Sequence, residues 1–220
     1  MNAAEEETLE ALKTWWEENG RRLVITAVVL VGGYTGWLLW QNSQTATAEA
    51  ASDSYEQILN LALPAADASV TEQDGRQIIA LSEQLRSDYP NSDYARFGAL
   101  FGAQQHVELD DLQAAETALR WILDNPKTGL LSDEDIGLHL TATLRLGRVL
   151  LAQGETEAAL QLVNSVDPQS FEAGFAELRG DIYLAMGRIV DARDAYTAAR
   201  QAGSASSNLQ MKLNSLADDS

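Results

Sequence analysis

Between Gly147 and Ala192 the chain repeats itself: Gly147, Leu151, Ala152, Gly154 and Ala159 recur 33 residues later as Gly180, Leu184, Ala185, Gly187 and Ala192. Looser matches fall in the same register, Leu150 with Tyr183, Val163 with Tyr196 and Val166 with Ala199. A period near 34 carrying helical apolar spacing restricts the fold to helix–turn–helix units, none of which can bury its apolar face without stacking on a neighbour. Gly147 and Gly180 let the two helices of a hairpin approach, Ala159 and Ala192 do the same from the second helix, and Tyr183 and Tyr196 fill the space between. Gly154 and Gly187 follow the first helix, where a left-handed residue ends it.

This pattern resembles the tetratricopeptide repeat. A weaker unit precedes the two good ones, with Ala103, His106, Ala115, Leu119 and Ile122 at equivalent places and Pro126 ending its second helix. Ala115 and Ala159 lie 44 positions apart, so about eleven residues are inserted around Asn125 to His139. There Asn125-Pro126-Lys127-Thr128-Gly129 is a turn, and Ser132-Asp133-Glu134-Asp135 starts the next helix early. Upstream, Gln77 to Tyr89 forms a helix stopped at Tyr89-Pro90-Asn91, and an alanine-rich helix runs from about Thr45 to Leu63. Leu209, Leu213 and Leu216 form one stripe on Asn208 to Leu216, as a capping helix requires. No stretch shows strand alternation, so the expected class is all-α.

Leu23 to Trp40 is eighteen residues without a charge. As a helix it is roughly 27 Å long, close to the thickness of a hydrocarbon core. Only Thr26, Tyr34 and Thr35 are even partly polar, too few for the polar stripe of a water-soluble helix. Trp15 and Trp16 before the run, with Trp37 and Trp40 at its end, are the residues that favour a headgroup zone. Lys13, Arg21 and Arg22 precede it, whereas the next basic residue is Arg76, which places the N-terminus in the cytoplasm and the rest outside. Ala46-Thr47-Ala48 and Ala48-Glu49-Ala50 have the form of a signal cleavage site. The eighteen apolar residues following an acidic stretch of more than twenty nevertheless fit a retained anchor better than the short core of a signal peptide. Gly32 and Gly36, with Gly33 beside them, form a G-x-x-x-G face able to dock another membrane helix. Leu9, Leu12, Trp15 and Trp16 form one apolar face of a short helix ahead of the span, suited to a membrane surface. The expected division is a cytoplasmic segment at 1–22, a transmembrane helix at 23–40, a helical linker at 41–70 and an exported domain at 71–220.

The formal charge is −18, from 15 Lys+Arg against 33 Asp+Glu, which argues against a nucleic-acid groove. Cysteine is absent, so disulfides, thiolate nucleophiles and cysteine metal sites are excluded. His106 and His139 lack partners at metal spacing, Asp110-Asp111 and Asp133-Glu134-Asp135 belong to no calcium loop, and nucleophile-elbow, P-loop and dinucleotide motifs are missing. The expected chain uses no cofactor, has no small-molecule substrate and is not an enzyme. What an array of hairpins offers is a concave face made by the first helix of each unit. Tetratricopeptide geometry places Thr141, Leu144, Arg148, Leu151, Glu177, Asp181 and Leu184 there. Lys or Asn at several of these positions would suit a clamp for a C-terminal carboxylate; Leu144, Arg148, Glu177 and Asp181 suit a mixed apolar and acidic groove for a protein segment.

Several features then occur in one order: Trp15-Trp16-Glu17-Glu18-Asn19-Gly20, Gly36-Trp37-Leu38-Leu39-Trp40, Ala50-Ala51-Ser52-Asp53-Ser54-Tyr55, Leu144-Arg145-Leu146-Gly147-Arg148-Val149, Leu178-Arg179-Gly180-Asp181 and Leu209-Gln210-Met211-Lys212-Leu213-Asn214-Ser215-Leu216. Together they resemble the YfgM-like family, ancillary subunits of the bacterial SecYEG translocon. The resemblance implies a single-pass inner-membrane protein whose periplasmic domain works beside SecYEG and a membrane-anchored chaperone of the peptidyl-prolyl isomerase type, receiving newly exported polypeptides. It supplies no catalytic residues. A scaffold for envelope assembly or cell division, anchored in the same way, is the alternative that the residues leave open.

Overall fold

The computed structural model describes residues 3–64, 69–126 and 135–218, with side chains at 13–38, 47–64, 69–126 and 135–216. Among the described residues the chain is helical throughout: α1 (Ala3–Ala62), α2 (Glu72–Asp88), α3 (Asp93–Glu108), α4 (Leu112–Asp124), α5 (Ile136–Ala152), α6 (Thr156–Asn164), α7 (Glu172–Ala185), α8 (Ile189–Gln201) and α9 (Ser207–Asp218), with a 3-10 turn at Gln169–Phe171. The chain divides into two compact units, Met1–Ala50 and Ala51–Ser220.

The first unit is helical. Where the sequence suggests a short amphipathic helix, a span and a linker, α1 is one continuous helix, because nothing breaks it: the first proline is Pro64, and Gly20 is covered by the indole of Trp16. Its apolar side chains point outward all round. Val28, Val29, Leu30 and Val31 are each at least 63% exposed. The threonines of the run spend their hydroxyls on their own helix, Thr26 donating to the Arg22 carbonyl at 2.9 Å and Thr35 to the Val31 carbonyl at 2.7 Å. No atom lies near enough to Gly32, Gly33 or Gly36 to touch an added Cβ. Among the described residues no helix is long and apolar enough to cross a membrane.

The second unit stacks hairpins. The end of α1 shares one core with α2 and α3. There α2 packs on α3, the stack continues through α3–α4, α4–α5, α5–α6 and α7–α8, and α9 closes the array on α8. A central core of Ala115, Leu119, Leu146, Val163, Phe175 and their neighbours runs through the middle pairs. Ala51, Ile58, Ile78 and Leu85 form the core at one end, and Ala176, Ala192, Tyr196, Ala199, Leu209 and Leu216 form the core at the other. Side-chain caps set the helix starts. Thr71 and Asp74 form a capping box, which begins α2 at Glu72 rather than at Gln77. Asp111 and Asp135 accept from the third amide of α4 and α5. The rest of the expected Ser132–Asp135 start and the turn residues 127–129 lie outside the described residues.

The helix ends show the repeat most clearly. Gly154 and Gly187 adopt φ +83° and +72°. The amide after each reaches back to the carbonyls of Leu150 and Tyr183, at 2.9 and 2.8 Å, the six-to-one bond of a Schellman motif. Asp110, 44 positions before Gly154, takes the same place with φ +61°, and the Asp111 amide bonds the His106 carbonyl at 2.8 Å. An aspartate in the left-handed region bears a Cβ penalty that glycine avoids, offset in part by the extra freedom glycine has when unfolded. Asp110→Gly is therefore expected to stabilise the chain by about 0.5 kcal/mol and Asp110→Ala to destabilise it by about 1 kcal/mol, read as opposite shifts of the urea midpoint by circular dichroism.

Candidate functional site

The seven residues placed on the concave face by sequence have different surroundings, and Thr141 donates to the Gly137 carbonyl of its own helix at 2.8 Å. Leu144 on α5 packs across to α7, where its Cδ2 lies 3.2 Å from the Cβ position of Gly174, and Leu151 is half-buried against the central core. Both serve the joint between hairpins. Leu184 is exposed on the last turn of α7.

Glu177 and Asp181 stand one turn apart on α7 and are brought together by a residue of α9. Lys212 donates to Glu177 Oε1 at 3.0 Å and to Asp181 Oδ2 at 2.9 Å. The Tyr196 hydroxyl donates to Asp181 Oδ1 at 2.7 Å, and the Lys212 ammonium lies 5.5 Å from the Tyr196 ring centre. Burial alone would lower the pKa of Lys212, but the carboxylates of Asp181 and Glu177 outweigh it and hold the ammonium above its ordinary value. Burial, reinforced by Asp181, pushes the Tyr196 phenol far above its ordinary range. Arg193 of α8 also donates to the Leu216 carbonyl. The acidic part of the expected groove is thus engaged by the chain's own capping helix.

Arg148 belongs to a different place. A cleft of about 370 Å³ lies between α3, α4 and α5, walled by Ala103, Val107, Leu119 and Val149, with Arg145 and Arg148 on its α5 side. The Arg145 guanidinium donates to the Leu100 carbonyl at 3.1 Å. Its charge is disfavoured first by burial and then by the neighbouring Arg148. Neither arginine pairs with a carboxylate among the described residues, whereas Arg76, Arg86, Arg96, Arg120, Arg179 and Arg188 each do. Arg145 carries no glycine or repeat signal, and its role emerges only when α3 and α5 are laid side by side.

His106 Nδ1 lies 3.7 Å from Asp111, and the His139 carbonyl accepts from Thr143. Among the described residues no group of three His, Cys, Asp or Glu is placed to hold a metal ion; Asp133 and Glu134 lie outside them. The sites therefore present an apolar cleft with two cations and an internally satisfied acidic pair.

A family model described as tetratricopeptide repeat-like domain matches residues 13–218. An ancillary SecYEG translocon subunit of Haemophilus influenzae is 33% identical over 214 residues, covering 96% of this chain and 97% of the relative. Its namesake in Escherichia coli is 29% identical over 215 residues, 96% of each chain, and that of Neisseria gonorrhoeae is 28% identical over 216 residues, 96% of this chain and 97% of the relative. No solved structure matches the chain.

Proposed function

The chain belongs to the tetratricopeptide repeat-like family of ancillary SecYEG translocon subunits, and from that premise we propose that it is a single-pass membrane adaptor that holds its repeat domain beside the Sec translocon. Residues 1–22 are cytoplasmic, 23–40 span the inner membrane, 41–70 follow as a linker whose part from Ala51 packs into the repeat unit, and 71–220 lie in the periplasm. There the domain meets newly exported polypeptides, together with a membrane-anchored chaperone of the peptidyl-prolyl isomerase type. It assists by protein–protein contact and catalyses nothing.

The observation that carries this reading is the similarity over 96% of the chain, which takes in the first unit as well as the repeats. The surface of α1 supports the membrane part. A helix with valines and leucines exposed all round, and threonine hydroxyls bonded to its own carbonyls, leaves lipid little polar surface to desolvate. Lys13, Arg21 and Arg22 support the cytoplasmic N-terminus.

The absence of cysteine makes the test simple. Single cysteines at Lys13 and at Glu157 are labelled in intact cells with a membrane-impermeant maleimide, and the tagged chain is then purified in mild detergent. The reading expects labelling at 157 only, with SecYEG in the eluate. Labelling at 13 alone would invert the topology, and an eluate holding division or cell-wall proteins without SecYEG would favour the envelope scaffold.

A further inference from the structure

The arginine pair at the α3–α4–α5 cleft has no carboxylate partner among the described residues, although carboxylates outnumber Lys+Arg by 33 to 15 and six other arginines are paired. Arg193 and Arg200 likewise lack one among the described residues, but only Arg145 and Arg148 line an apolar cleft together. Arg145 and Arg148 lie three positions apart on α5, where side chains share a face, and every charge lining the cleft is positive. Arg145 is already held in place by the Leu100 carbonyl, which leaves most of the donors of its guanidinium for something else. Between them and Val107, Leu119 and Val149 the wall is apolar. A volume of about 370 Å³ is at the lower end for a ligand site and suits a few side chains rather than a helix face.

We propose that this cleft docks a segment of a partner polypeptide in which an aspartate or glutamate stands beside a leucine-class side chain. The apolar side chain enters between Val107, Leu119 and Val149, and the carboxylate is held by Arg145 and Arg148 in charge-assisted hydrogen bonds. Pairing would also relieve the repulsion between the two guanidiniums. The inference deepens the adaptor reading and rests on it, assigning the kind of segment that the repeat domain selects.

The test uses the full chain in detergent micelles and a fluorescent peptide alternating leucine and glutamate, with leucine–glutamine and leucine–lysine peptides and laurate as comparators. The leucine–glutamate peptide is expected to bind at least about tenfold more tightly than the leucine–glutamine one, the scale of a charge-assisted hydrogen bond, and to weaken as salt is raised. Arg148→Glu should abolish that preference while leaving the unfolding midpoint in place, because Arg148 is exposed. Equal binding of the three peptides, an unchanged affinity in the Arg148→Glu chain, binding of laurate in place of peptide, or self-association that Arg148→Glu abolishes would each overturn the proposal. SecYEG copurification with the unaltered chain separates the two readings. If peptide selectivity is missing while SecYEG still copurifies with the unaltered chain, the cleft inference alone falls; if SecYEG never copurifies, the adaptor reading falls whatever the peptides do.

Discussion

Tyr196→Ala is expected to cost the repeat domain about 3–5 kcal/mol, the scale of emptying a buried aromatic site. Tyr196 is fully buried among Ala176, Ala192, Ala199 and Leu209, so its ring is the main volume at that end of the array. The loss should be local. Stacked repeats share energy mainly with their neighbours, so limited proteolysis is expected to open α7–α9 first and leave α2–α6 resistant. Uniform protection, or a chain that unfolds everywhere at once, would contradict this account. Tyr196→Phe keeps the volume but removes a hydrogen bond to a carboxylate, worth about 1.5–3 kcal/mol. The pH dependence follows from two raised pKa values, those of Tyr196 and Lys212. A group held protonated in the fold contributes fully below its unfolded pKa and loses that contribution as pH rises through the higher folded value. The α9 cap is therefore expected to loosen only at alkaline pH, beyond the unfolded values of about 10, and Tyr196→Phe should reduce that sensitivity. A cap that detaches near neutral pH would show that Lys212 is not what holds it.

Gly180→Val is the second large expected effect, at about 3 kcal/mol or more of lost stability, the upper part of the range for overpacking a core. A Cβ at Gly180 would overlap the Tyr196 ring, and that ring is rigid, fully buried and tied to Asp181. Alanine is the informative smaller step. It would gain roughly 1 kcal/mol in helix propensity against an overlap costing roughly 1–3 kcal/mol, so a net loss near 1 kcal/mol is expected. Gly174→Ala on the same helix meets only the flexible end of Leu144, at 3.2 Å, and should be neutral or stabilising. Urea midpoints of the three variants, ordered Gly174→Ala, Gly180→Ala, Gly180→Val from most to least stable, check the argument; any other order refutes it.

Both effects arise at positions that were visible in the sequence. Gly180 and Tyr196 stand in the 33-residue repeat with Gly147 and Val163, and the close approach they imply is present. Gly147 has Leu178 Cδ2 at 2.8 Å and Val163 Cγ2 at 3.2 Å from its Cβ position. Gly154 and Gly187 declared their helix ends because glycine is the usual solution to a left-handed residue. Asp110 concealed the same turn because aspartate has other reasons to follow a helix. The contacts that decide the candidate sites were hidden for another reason. Lys212 reaches Glu177 and Asp181 across 35 and 31 positions, and Arg145 reaches Leu100 across 45, separations at which no local period operates. Hence the concave face could be counted off along α5 and α7 while its division could not. The acids belong to the cap, Leu144 and Leu151 to the joints, Leu184 to the surface, and Arg148 to a cleft whose other arginine had no distinguishing pattern.

The measurement closest to the central claim is photocrosslinking in intact cells from a probe at Gly33, on the exposed small-residue face of α1, with a second probe at Arg148 by the cleft. The account expects SecYEG or isomerase-chaperone adducts from position 33 and exported polypeptides in transit from position 148. Adducts confined to division or cell-wall proteins at both positions would contradict it.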